Sequence, residues 1–451
     1  MRKKICLLFC CILVAASSVF AQKRIGNETP EAKKKRMEWW TDSRFGMFIH
    51  WGLYALPARH EWVKNMERMT NEDYEKYFKN FNPDLFQPKL WAKEAKAAGM
   101  KYAVMTSKHH EGFTLFDSQF TDYKATNTPA KRDLVKEYID AFRAEGLKVG
   151  LYYSLIDWHH PDFTIDDMHP QRALKKDDAA YYEKVNKGKD MAKYRTYLYN
   201  QVKEILTKYG KIDILWLDFS YPGKFGKGKD DWGSVELLKM IRKLQPGIIV
   251  NNRLDLNDYE DGVDFETPEQ VSTKELEKYK GKVWETCQTF SGSWGYYRDE
   301  DTWKTNRKLL DLLITSVANG GNILLNVGPT ARGEFDDRAN LALDSLGKWM
   351  SHNSKSIYNC SYAPADFKVI DGTKLTYNAN AKRLYVHLFD YPSNGSITLK
   401  GYRSKVDYAQ FLHDNSELVI DKEKSNTDDL VLKLPKKKPN FEIPVIELIL
   451  K

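Results

Sequence analysis

Between about residue 40 and residue 350, short apolar, β-branched or aromatic runs alternate with amphipathic segments, and no other feature of the 451 residues restricts the fold so tightly. Strands separated by helix-length segments return parallel to one another rather than as hairpins, because a parallel crossover needs a dozen or more residues. The pattern predicts strands at 45–51, 102–106, 149–154, 212–218, 248–251, 283–285 and 323–327, with a weak one near Val263. Helices are predicted between them at 87–98, 134–145, 193–209, 234–244 and 302–318. Gly99, Gly146, Gly210 and Gly320 stand just past four of the helix ends, where a left-handed cap favours a residue without a β-carbon. Eight such units predict an α/β fold, a (β/α)8-like TIM barrel.

After about residue 354 the apolar period changes to two, in runs at 374–378, 383–389, 396–402, 430–434 and 443–450. This predicts a C-terminal antiparallel β-sandwich with a hairpin turn at Asn394-Gly395. The expected division is therefore a barrel over 22–353 and a sandwich over 354–451.

Residues 1–21 read as a secretory signal, with Arg2, Lys3 and Lys4 ahead of an apolar run from Ile5 to Phe20 and a small residue, Ala21, before the cut. Export follows, to the periplasm first, with extracellular release as the alternative. No later stretch is apolar for long enough to span a membrane. Cys6, Cys10 and Cys11 leave with the signal; Cys287 and Cys360 remain, too few for a disulfide framework, and their pairing is open. The formal charge of +8 loses three with the leader, and the remaining Lys and Arg are mixed with Asp and Glu. A solvated surface explains that balance better than a nucleic-acid partner.

In a barrel of this kind the chemistry sits at the carboxyl ends of the strands. The first predicted strand ends at His50, followed by Glu61 and Trp62; the second runs into His109 and His110; the third ends Tyr152-Tyr153-Ser154; the fourth ends Trp216-Leu217-Asp218; the fifth runs into Arg253. A lone polar residue at a strand end is ordinary. Five successive strands converging on one rim point to a binding or catalytic site. Asp218 follows an apolar run with no turn residue between, and Trp216 shares its face. His50, His109, His110 and Asp218 could be read as metal ligands, but no HxH or HExxH spacing occurs, and His109 and His110 emerge on opposite faces if the strand continues. Hydrogen bonds to sugar hydroxyls beside stacking rings explain the mixture at least as well, and the 13% aromatic content fits that reading. The G-x-S-x-G elbow, the P-loop and the G-x-G-x-x-G fingerprint are missing, which leaves carboxylate chemistry.

The order of several segments resembles glycoside hydrolase family 29, the retaining α-L-fucosidases. They are Trp39-Trp40 with Arg44 to Gly52, Lys108 to Phe113, Trp216-Leu217-Asp218, Trp284 to Cys287 with Ser293 to Tyr296, and Asn319 to Asn322 with Leu325 to Pro329. The resemblance implies a distorted barrel followed by a sandwich, and exo-hydrolysis of terminal α-L-fucosides with retained configuration. It implies Asp218 as nucleophile and a fucose pocket of His50, Glu61, Trp62, His109, His110, Tyr153, Trp216, Arg253 and Trp294. For the acid/base it favours Glu269, in Asp264 to Glu269, with Glu285 second and Glu266 third. The implied partner is a fucosylated oligosaccharide or glycoconjugate, with no cofactor and no metal; oligomeric state stays open. A non-catalytic sugar-binding barrel and a metal-dependent hydrolase are the rival readings.

Overall fold

The computed structural model describes residues 23–175, 177–426 and 428–451; the leader-like segment lies outside them. Seven strands, β1 (Phe45–Ile49), β2 (Tyr102–Lys108), β3 (Lys148–Ser154), β4 (Ile214–Asp218), β5 (Ile249–Val250), β6 (Glu285–Thr289) and β7 (Asn322–Val327), form one sheet in the order β5-β4-β3-β2-β1-β7-β6. Every pairing in it is parallel. Helices Pro88–Ala97, Leu134–Ala144, Met191–Lys208, Ser234–Leu244 and Asn306–Ala318 fall where the pattern put them. The four glycines past helix ends have φ of 90°, 81°, 71° and 82°.

The eighth strand is the point of difference. Between β5 and β6 the chain makes only single parallel bridges, Asn251 to Phe265, Glu266 to Trp284 and Glu269 to Cys287. Pro268 has no N–H to give a ladder there, so the barrel closes through a thin seam rather than a full strand. The buried Asp264 carboxylate anchors the start of the seam, accepting from Arg36, Arg242 and the Val250 N–H.

Inward-facing side chains fill the barrel as a core. Phe48, Tyr152, Trp216, Cys287 and Leu324 belong to this inner cluster. Trp40, from helix Pro30–Ser43, joins them with its ring 4.7 Å from Phe265.

Among the described residues the C-terminal part has six antiparallel strands: β8 (Thr373–Asn378), β9 (Arg383–Leu388), β10 (Ser396–Leu399), β11 (Val406–Phe411), β12 (Leu430–Lys433) and β13 (Val445–Leu450). They form a four-stranded sheet, β11-β13-β9-β8, and a pair, β10-β12, whose apolar faces share one core including Val386, Leu399, Leu432 and Leu448. β11 is additional to the predicted runs. Asn394-Gly395 is not a hairpin turn: it leads from β9 into the other sheet, because β13 and β8 already occupy both edges of β9. The sandwich is fastened to the barrel by Trp349 Nε1 donating to the Ile443 carbonyl (3.0 Å), Arg44 Nε to the Cys360 carbonyl (2.7 Å) and Lys374 Nζ to Asp311 (2.6 Å). Cys287 and Cys360 are both buried free thiols. Among the described residues no helix is long and apolar enough to cross a membrane.

Candidate active site

At the carboxyl ends of the strands lies a cavity of about 910 Å³ lined by ten of the predicted residues: His50, Glu61, Trp62, His109, His110, Trp216, Asp218, Arg253, Glu269 and Trp294. Its centre is Asp218, the last residue of β4, with a side chain 13% exposed. Tyr152 donates from its hydroxyl to Asp218 Oδ2 at 2.8 Å, and Arg253 Nη1 donates to Oδ1 at 3.1 Å. Burial pushes the Asp218 carboxyl up to about 6; Arg253 opposes the rise, the nearby Glu269 adds to it and the Tyr152 hydroxyl opposes it. Phe219, directly after it, has φ of 83°, an uncommon conformation for a bulky residue, and turns the chain off the strand.

Arg253 reaches a second carboxylate as well. Its Nη2 donates to Glu269 Oε2 at 2.8 Å, so one guanidinium spans Asp218 and Glu269. The guanidinium itself lies 5.1 Å from the Trp216 ring, which stacks on Tyr152 at 5.7 Å and 20°. Glu269 comes from the thin seam and is 43% exposed at the side chain, so its carboxylate stands nearer the mouth than Asp218 does.

His50 and His110 are neutral acceptors. His50 Nδ1 lies 2.6 Å from Asn326 Oδ1, and the Asn326 amide donates to the Trp294 carbonyl at 2.7 Å, so His50 is the donor to Asn326 and its Nε2 is bare. His110 Nδ1 lies 2.7 Å from Ser154 Oγ, whose own proton goes to the Ile156 carbonyl (2.9 Å); Nε2 of His110 is therefore also bare, 4.0 Å from Asp218. Burial holds His50 down at about 3, and burial with the neighbouring His50 and Lys108 holds His110 well below its usual range. The His110 contact with Asp218 is accordingly not an ion pair.

Two walls are aromatic. The Trp294 ring sits 5.1 Å from His50, and its loop is held by Glu61 Oε2, which accepts from the Ser293 hydroxyl (2.9 Å) and the N–H groups of Trp294 (3.1 Å) and Gly295 (3.0 Å). Opposite, Trp62 packs on His110 and Phe219 at 5.2 and 5.4 Å.

Four expectations need correction. Tyr153 is not in the cavity: β3 pairs with β4 so that Tyr152 lies beside Trp216 and Tyr153 beside Leu217, and alternation turns Tyr153 outward, where its hydroxyl donates to Gln201 Oε1 at 2.7 Å. Glu285 begins β6 and lies wholly buried at the amino end of the barrel, bonded to the Tyr102 hydroxyl; its neighbour Cys287, two residues further on, is the one that reaches the cavity. Glu266 turns to Lys282 at 3.0 Å, away from the cavity. His109 and His110 do not diverge, because β2 ends at Lys108 and the rings lie 4.0 Å apart on the same cavity.

Tyr152, Phe219 and Asn326 are site residues to which the sequence pattern assigned no role. Strand alternation from Trp216 finds Tyr152 once the register is known; Asn326 lies in the Leu325 to Pro329 segment, where nothing local marks it as a partner of His50. Among the described residues no group of three or more His, Cys, Asp or Glu is placed to hold a metal ion.

A family model described as alpha-L-fucosidase matches residues 12–355. The alpha-L-fucosidase of Dictyostelium discoideum is 30% identical over 80% of this chain and 79% of its own length. Among solved structures, alpha-L-fucosidase isoenzyme 1 from Paenibacillus thiaminolyticus is 44% identical with a TM-score of 0.84, covering 93% of this chain and 99% of that one. A Bacteroides thetaiotaomicron alpha-L-fucosidase GH29, trapped as a covalent intermediate with 2-fluoro-fucosyl fluoride in a glutamate-to-glutamine mutant, is 29% identical with a TM-score of 0.78, covering 96% and 98%.

Proposed function

The chain belongs to the α-L-fucosidase family, glycoside hydrolase family 29, and from this we infer an exo-acting enzyme that removes terminal α-L-fucose from glycans with retained configuration. Retention proceeds by double displacement through a covalent fucosyl-enzyme, the kind of species trapped in the Bacteroides relative. The observation that carries the residue assignment is the single guanidinium of Arg253 reaching both Asp218 and Glu269 on one cavity. Retaining enzymes place their two carboxyl groups roughly 5 to 5.5 Å apart, and a shared guanidinium is compatible with such a pair.

In this reading Asp218 attacks the anomeric carbon as the bond to the leaving oxygen breaks, and Glu269 gives that oxygen its proton. Glu269 then takes a proton from water, which attacks the same carbon and frees Asp218. The ion pair between Arg253 and Glu269 has to open as the sugar enters, so that Glu269 can face the leaving oxygen. Bare Nε2 atoms on His50 and His110 accept from fucose hydroxyls, while Trp62, Phe219 and Trp294 offer apolar surface to the ring and its methyl group. Asp218 is supported as nucleophile by its depth and its two donors, which hold an acceptor in a fixed place. The leader-like residues 1–21 support export, to the periplasm or beyond it.

Asp218→Gly tests the assignment. It should abolish hydrolysis of an aryl α-L-fucoside, and azide should restore part of it with β-fucosyl azide as product. Undiminished hydrolysis in that variant would move the nucleophile elsewhere.

A further inference from the structure

Glu285 is a carboxyl group for which the double displacement has no use, yet it lies wholly buried inside the amino end of the barrel. Its Oε2 accepts from the Tyr102 hydroxyl, and Tyr102 is steadied in turn by Asn322 Nδ2 at 3.3 Å. Its Oε1 has no hydrogen-bond partner, and neither do the buried indole N–H groups of Trp40 and Trp216. Trp40 and Trp216 lie within reach of the carboxyl. Burying a carboxyl is unfavourable unless its oxygens are bonded, so an unpartnered acceptor within reach of unpartnered indole donors inside the barrel is a pairing that both sides need.

What that pairing holds is the floor of the site. Trp216 stacks on Tyr152 and lies under Arg253, and both of those side chains bond Asp218. Packing alone fixes a flat indole poorly against rotation among other rings, whereas its N–H can be satisfied in only one orientation. We propose that Glu285 is a positioning residue: its carboxyl holds the Trp216 indole, and through Trp216 it sets Tyr152 and Arg253 against Asp218. The proposal rests on the fucosidase reading for its kinetic test, but not for its binding test.

The experiment is a double-mutant cycle. Glu285→Leu should lower kcat/KM for an aryl α-L-fucoside at least tenfold, whereas Glu285→Gln, which keeps an acceptor oxygen for the indole, should stay within about threefold of the parent. In a Trp216→Phe background, which has no indole N–H to hold, Glu285→Leu should cost nothing further, because interacting residues are non-additive. Equal losses in the two backgrounds, an unaffected Glu285→Leu, or a Gln variant as impaired as Leu overturns the proposal. If Glu285→Leu does not fold, Tyr102→Phe unfastens the same carboxyl and must show the same dependence on Trp216: a several-fold loss with the indole and none without it. The same cycle read as the Kd for L-fucose by calorimetry keeps the two readings apart, since it gives its answer even if the parent chain hydrolyses no fucoside.

Discussion

As the proposed nucleophile Asp218 has to be ionised, and burial leaves its carboxyl at about 6. kcat/KM should therefore rise with pH through about 6. Arg253 pulls that midpoint down, so Arg253→Met should move the acidic limb to higher pH as well as lower the plateau. A limb that stays in place in the Met variant would assign it to another group. The two adjacent tyrosines give a second test. Tyr152→Phe removes a hydrogen bond to a carboxylate, worth about 1.5 to 3 kcal/mol, and should reduce kcat/KM roughly tenfold to a hundredfold. Tyr153→Phe removes only a neutral bond to Gln201 in the outer layer; it should cost about 1 kcal/mol of stability by denaturant titration while leaving kcat and KM alone. The opposite result would mean that the strand presents its other face to substrate.

The segment following β2 shows how a short loop aims two rings. β2 ends with Lys108, whose ammonium is buried against Asp157 at 3.1 Å, and Trp158 N–H donates to the His110 carbonyl at 2.8 Å. Gly112 closes the loop with φ of 84°, and a Cβ there would stand 2.2 Å from Asp157 Oδ1. Gly112→Ala therefore combines backbone strain of about 1 to 3 kcal/mol with a clash against a buried ion pair. It should raise KM for fucoside through the displaced His109 and His110, with a lowered Tm. A variant with parental KM would show that the loop tolerates the shift. The seam at 265–269 makes the complementary point: Pro268 interrupts the ladder, and the carboxylate it delivers, Glu269, is more exposed than any that a full strand contributes to this cavity.

The protein as a whole carries two opposed sets of buried titrating groups. Burial holds His50, His169 and His387 at about 3, and holds His109 and His110 well below the usual range. Between about 3 and 6.5 the unfolded chain binds protons these residues refuse, so their effect is that stability rises with pH. Burial also raises Asp218 to about 6, Glu111 to about 7 and Glu285 to about 8. These carboxyls keep protons that the unfolded chain releases, so their effect is that stability falls as pH rises toward those values. The histidines outnumber the carboxyls in the acidic range, while near neutrality chiefly Glu111 and Glu285 still hold extra protons. Tm by scanning calorimetry should climb from about pH 4.5 to about 6.5 and then level or decline toward 8; a steady climb through that interval would contradict the balance.

The parallel units, the period-two tail and the glycine-ended helices could be read from the chain because each is a local pattern of apolar spacing and backbone freedom. Asp218, Trp216 and Arg253 were legible for the same reason, as polar or aromatic residues at the ends of such patterns. Which of Tyr152 and Tyr153 faces the cavity depends on the pairing of β3 with β4, a long-range register that neither strand carries alone. The choice among Glu266, Glu269 and Glu285 had the same character. All three are acidic residues near a strand, and only the closed barrel turns Glu266 to Lys282, sinks Glu285 to the lumen and brings Glu269 to the guanidinium that also holds Asp218.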